Sequence, residues 1–128
     1  MSENDRADRG RPHVLTNTLD AARAALDSGD GGAVWRIDDP HRGLDSNLVA
    51  LPAGDGITEH RGPDLDVLVH VVRGSGTLTG GGKEIALAAG DLVLLPRLSE
   101  RGFRSGPDGL VYLTVHARKG GLRIGIPG

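Results

Sequence analysis

The sequence contains no cysteine and very few aromatic residues. Without cysteine, neither disulfides nor thiolate metal ligands can hold the fold together, which fits a reducing cytoplasm, the location that we expect. Trp35, Phe103 and Tyr112 are too few to form a platform for stacking bases. A net charge of −2 also argues against a protein that binds nucleic acid through phosphates. No apolar run is long enough for a membrane helix, and the N-terminal residues lack the apolar core of a signal peptide. We therefore expect no nucleic-acid partner and no membrane association.

Glycine, in contrast, is abundant: the 128 residues include 21 glycines, more than twice the usual share of about 7%. Between Leu51 and Pro96, short apolar runs alternate with glycine-rich turns at 74–76, 80–82 and 89–91. This spacing is typical of an antiparallel sandwich or barrel. It predicts an all-β fold with strands at 66–73, 77–79, 83–87 and 92–95.

The remaining segments complete a single predicted domain. Residues 1–12 are polar and patternless, and we expect a disordered tail. Residues 13–32 form a helix region, because Leu19, Ala22 and Leu26 make one apolar stripe that predicts a helix at 18–28 ending at Gly29. Residues 33–128 form the barrel, with its core at 47–117. Its further predicted strands are 33–37, 47–51, a short strand from 103, 110–117 after a turn at 106–109, and a weak edge strand at 121–128.

The block from Gly54 to Pro96 resembles the cupin family. Gly54, His60 and Gly74 match the ends and the first histidine of the first cupin motif. Gly90-Asp91 and Pro96 match the second motif. The resemblance covers about residues 47–117 and implies a double-stranded β-helix, or jelly-roll, barrel with a short N-terminal helix.

The resemblance also implies where a metal would bind. Cupins with a complete site hold a divalent metal through three histidines and a glutamate, and here only His60 falls on a ligand position. Gly62, Val67 and Arg101 take the other three. A lone imidazole does not hold a metal tightly, so we expect a degenerate metal site and no cofactor. A divalent metal held by substituted ligands is the alternative.

His60 is also the candidate for metal-free catalysis. With Asp64 or Asp66 it would form a histidine–carboxylate dyad acting as a general base, as the resemblance implies for some sugar-modifying cupins. Arg101 would bind an anionic ligand through its two-pronged guanidinium, beside His60. Strand parity places His70 and His116 outside the barrel, opposite the apolar sets of their strands, unless a one-residue bulge reverses the assignment.

Three functions follow from these candidates. The first is a protein that binds a small molecule in the barrel without a standard metal centre. The second is an enzyme, either a metal-free isomerase or cyclase using His60, or a metal-dependent oxygenase with substituted ligands. The third is a structural barrel acting through a dimer interface, and we expect a homodimer in any case. Whether the protein is an enzyme stays open at this point.

Overall fold

The computed structural model describes residues 10–118, which form one helix and seven strands. In chain order the elements are α1 (Thr18–Ser28), β1 (Gly32–Arg36), β2 (Leu44–Leu51), β3 (Gly56–Arg61), β4 (Val67–Gly80), β5 (Lys83–Ala88), β6 (Leu92–Leu95) and β7 (Glu100–Ala117). Most of the predicted tail at 1–12 and all of the predicted strand at 121–128 lie outside the described residues. No helix within residues 10–118 has both the length and the apolar character that a membrane crossing requires.

Helix α1 has the predicted bounds because its local signals are strong. The side chain of Asn17 accepts a hydrogen bond from the backbone N–H of Asp20 at 3.0 Å, which caps the first turn, and Gly29 ends the helix. The helix buries Ala22 and Ala25 against the outside of the sheet. That outer cluster also contains Leu48, Ala50, Val72 and Val111.

All of the strand pairs are antiparallel, and β4 and β7 hold the sheet together. The first part of β4 pairs with β6 and its last part with β5. The first part of β7 pairs with β3 and its last part with β2. Because each long strand contributes to two sets of neighbours, the sheet folds into two facing layers. This is the all-β jelly-roll barrel with an N-terminal helix that the sequence predicts.

Two predicted turns lie instead inside long strands. Residues 74–76 belong to β4 and residues 106–109 to β7. Gly74 has a φ of 81°, and a Cβ on it would overlap the carbonyl oxygen of Gly109. The β4–β7 register shifts on both sides of this contact. These glycines therefore let the two strands approach and bend from one layer into the other, rather than reverse.

Strand β3 is absent from the sequence-based prediction. Of its six residues (GITEHR) only Ile57 is half-buried, and the others are exposed. The alternation of apolar and polar residues that identifies a half-buried strand is therefore missing. β3 forms because β7 offers it a free edge to pair with.

The core lies between the two layers. One layer contributes Val69 and Val71, and the other contributes Leu78 and Phe103. The ring of Phe103 stacks on that of Tyr112, with a centroid separation of 4.5 Å and an interplanar angle of 15°.

The inner face of β7 is the opposite of the one predicted. Tyr112 lies in the core between the layers, whereas Val111 packs under α1 on the outside. His116 shares the face of Tyr112, so the prediction that it points outward is wrong. Val111 and Leu113 face outward, where they form part of the apolar surface on which α1 packs.

Candidate functional site

Arg101, near the start of β7, is the most unusual side chain in the barrel. It is only 6% exposed, and it is the one charged residue among the buried residues of the described range 10–118. Its Nη1 donates hydrogen bonds to the carbonyl oxygen and to the Oγ of Ser99, both at 3.2 Å. Its backbone pairs with that of His60 on β3.

The guanidinium of Arg101 lies over Gly62. A Cβ on Gly62 would overlap Nη1 and the central carbon of the guanidinium. Only glycine at position 62 therefore leaves room for this conformation of the arginine. We call Gly62, Ser99 and Arg101 the Arg101 site.

The charge of Arg101 has no carboxylate partner in residues 10–118. The ion pairs there join other arginines to acids: Arg23 to Asp20, Arg42 to Asp45, Arg97 to Asp64 and Arg104 to Glu84. Burial lowers the pKa of Arg101 from its usual value, because the charged form loses contact with water. An arginine nevertheless keeps its proton at neutral pH.

Part of the guanidinium is still reachable. Nε and Nη2 make no hydrogen bond to residues 10–118, and no side-chain nitrogen or oxygen there is fully buried without a partner. The two nitrogens must therefore touch accessible space. Their N–H groups lie on one edge of the planar group, the geometry that binds a carboxylate in a bidentate way.

A tight turn before β7 positions the Arg101 site. The N–H of Leu98 donates to the carbonyl of Pro63 at 2.8 Å, and the N–H of Gly62 donates to that of Ser99 at 2.9 Å. Leu98 adopts a φ of 63°, a left-handed conformation that a leucine rarely takes. The turn thus holds the loop after β3 against the start of β7.

The predicted catalytic residues lie close in sequence but have separate partners. His60 is exposed, and its Nδ1 lies 3.0 Å from the carbonyl oxygen of Thr58. Asp66 accepts a hydrogen bond from the N–H of Arg97 at 2.9 Å, and Asp64 pairs with the Arg97 guanidinium at 3.6 Å. No hydrogen bond within residues 10–118 joins His60 to either acid. The His60–carboxylate dyad therefore stays a prediction.

The four positions that the cupin resemblance assigns to metal ligands do not fit a divalent metal. Glycine and valine offer no side-chain donor, and Val67 is buried in the apolar core. Arg101 brings a positive charge in place of a lone pair. No group of three or more potential ligands occurs among the residues that the structure describes.

His70 and His116 differ in their surroundings. His70 is exposed beside Leu92, facing away from the core, as predicted. His116 is partly buried, pairs across the sheet with Asp45 and places its Nδ1 2.8 Å from the carbonyl oxygen of Ala117. Asp45 is itself bound to Arg42 at 2.8 Å. These contacts give neither histidine a place in the Arg101 site.

A groove of about 310 Å³ adjoins the Arg101 site. It runs between β5 and β6, the edge strands of the two layers, and we call it the seam groove. Its apolar wall contains Leu78, Ile85, Leu94, Leu95 and Pro96, and its polar wall contains Ser99, Glu100 and Arg101. Sequence reasoning identified Arg101 but missed the groove, because its walls come from separate segments of the chain.

Fold and site together define a small jelly-roll barrel with a buried arginine beside the seam groove. The family model described as Cupin domain matches residues 47–116, more than half of the chain, and the chain belongs to the cupin family.

Solved structures show the same fold. A cupin 2 conserved barrel domain protein from Rhodopseudomonas palustris is 26% identical, with a TM-score of 0.60. That match covers 65% of this chain and 57%, less than two thirds, of the other. KdgF from Halomonas sp. is 25% identical, with coverages of 68% and 81% and a TM-score of 0.56. The polyketide cyclase RemF from Streptomyces resistomycificus is 20% identical, with coverages of 65% and 61% and a TM-score of 0.59, and this likeness concerns the fold alone. No curated protein gives a significant match.

Proposed function

We propose that this cupin binds a small anionic molecule, and that Arg101 is the residue that recognises it. The observation that carries the proposal is an arginine only 6% exposed whose guanidinium has no carboxylate partner in the described residues. Burying an unpaired charge is costly, so such groups are normally paired in the free protein or in a complex.

The unused edge of the guanidinium fits a carboxylate. Nη1 is engaged by Ser99, which leaves Nε and Nη2 as a parallel pair of donors. A carboxylate accepts both in two charge-assisted hydrogen bonds, which are stronger than neutral ones. The turn at 96–99 holds Ser99 in place, so little conformational freedom is lost when the anion binds.

A nuclear magnetic resonance titration with acetate tests the proposal, with acetamide as the neutral probe of similar shape. At constant ionic strength, acetate should shift the amide signals of Gly62, Ser99 and Arg101 in a saturable way, and acetamide should not. Arg101→Gln should abolish these shifts.

Arg97→Gln is the matched control, because Arg97 lies in the same turn but is exposed and already paired with Asp64. This variant should respond to acetate like the wild type. The proposal is wrong if folded Arg101→Gln, checked by circular dichroism, still responds to acetate, or if the wild type does not.

A further inference from the structure

The seam groove combines a buried charge with exposed apolar side chains. Ile85 and Leu94 are 51% and 56% exposed, although they line a concave surface. Leu78 and Leu95, deeper in the same groove, are 5% and 6% exposed. A ligand in the groove would remove Ile85 and Leu94 from water, which is favourable in proportion to the apolar area buried.

The groove also contains one positively charged group, on Arg101, and one negatively charged group, on Glu100. Arg101 offers a single unused edge, which matches one carboxylate. Glu100 lines the same groove, so a second negative charge on the ligand would meet a carboxylate. A volume of about 310 Å³ lies at the small end of ligand sites, which span about 300–1,000 Å³.

From this charge and shape we infer that the ligand is a small amphipathic monocarboxylate. Its carboxylate binds Nε and Nη2 of Arg101, and its apolar body lies along Ile85 and Leu94 between β5 and β6. The inference rests on the proposed function, because it takes Arg101 as the anion-binding residue. It adds the chemical class of the ligand and the place of its apolar part.

Titrations with acetate, butyrate, hexanoate and octanoate test the inference. Each methylene that enters the groove should tighten binding about fourfold, the equivalent of about 0.8 kcal/mol. The gain should stop once the chain extends beyond the groove into water. Succinate should bind more weakly than butyrate, although both have four carbons.

Two variants separate the groove from the general surface. Ile85→Asn should remove most of the gain in affinity from acetate to hexanoate. Leu92→Asn is the matched control, since Leu92 is 67% exposed on the neighbouring strand but does not line the groove. It should leave the whole series unchanged.

The outcomes distinguish the two proposals. If neither acetate nor the longer acids bind, both fail. If acetate binds through Arg101 but chain length or Ile85→Asn has no effect, the proposed function stands and this inference is wrong. It is also wrong if succinate binds more tightly than butyrate. Finally, it is wrong if Ile85→Asn dissociates a dimer instead, because the groove would then be an interface between two copies.

Discussion

The guanidinium of Arg101 occupies the space into which any side chain at position 62 would extend. Gly62 and Arg101 therefore act as one unit: the glycine permits the arginine conformation, and the arginine fills the volume that the glycine leaves. A substitution at either residue should therefore change the packing of the other.

Gly62→Ala should destabilise the protein by about 1 kcal/mol, the low end of the cost of adding atoms to a packed site, because the atoms that the new methyl meets end a flexible side chain that can turn away. It should also abolish the acetate response, because the guanidinium must move. Urea unfolding measures the loss of stability, and the acetate titration measures the loss of binding. In an Arg101→Ala background the cost of Gly62→Ala should nearly vanish, since the two residues are coupled.

Gly43→Ala is the control for Gly62→Ala, because a Cβ at Gly43 meets no atom within 4 Å. It should change stability by less than about 0.5 kcal/mol. An equal cost of Gly62→Ala with and without the arginine would contradict the coupling.

Arg101→Met should stabilise the protein, even though it removes the proposed binding residue. Methionine keeps much of the apolar volume and removes a mostly buried charge, and because Nε and Nη2 still reach accessible space, the free energy of unfolding should rise by about 1 kcal/mol. Urea unfolding at neutral pH measures it. Arg97→Met, at an exposed arginine, should have little effect. A clear loss of stability in Arg101→Met would mean that the guanidinium supports the fold rather than a ligand.

Leu98→Gly should raise stability, contrary to the usual effect of glycine. The left-handed conformation costs an ordinary residue about 1–2 kcal/mol, and glycine adopts it freely at an entropic cost of about 0.5–1 kcal/mol. A net gain of up to about 1 kcal/mol is therefore expected in thermal or urea unfolding. Leu92→Gly, within strand β6, should instead lose stability. Equal losses in both variants would show that the turn stores no strain.

Stability should fall above pH 10 because of Tyr112. Burial raises the pKa of this phenol above its usual value of 10.0. Above that pH the unfolded chain releases the proton and the folded protein keeps it, so stability falls by up to about 1.4 kcal/mol per pH unit from this group. The stability that the protonated Tyr112 contributes is therefore fully present below pH 10. It is lost as the pH rises from 10 towards the pKa of Tyr112 in the folded protein.

Tyr112→Phe isolates the effect of Tyr112. Lysines and arginines titrate in both proteins, so their effect cancels in the difference between the two free energies of unfolding. The sequence has one tyrosine, so tyrosinate absorbance reports this residue alone. Ionisation near pH 10 without unfolding would contradict the prediction.

Local signals in the sequence identify several elements correctly. Helix α1 has its stripe, its cap and its final glycine within a few residues, and β6 has the predicted bounds. The turn at Gly81 and Gly82, both with positive φ, was also predicted. In each case the deciding interactions join residues near each other in the chain.

The errors concern features that depend on distant neighbours. Gly74 looks like a turn residue until the carbonyl of Gly109 is placed against it. The two faces of β7 both carry apolar residues, and only the position of α1 decides which is outside. His60 can be recognised in the sequence because it matches a family motif. The seam groove beside Arg101 cannot, because it exists only when β5 and β6 come together in the fold. The site could thus be predicted in part, as one arginine without its surroundings.

Strand β7 pairs with β2, β3 and β4, although it is the last strand that the structure describes. During synthesis, the strand edges that pair with β7 stay unpaired until residues 100–117 leave the ribosome. Such long-range pairing slows folding and exposes strand edges to aggregation. A nascent chain stalled before Glu100 should therefore bind chaperones, and its release should follow the emergence of β7.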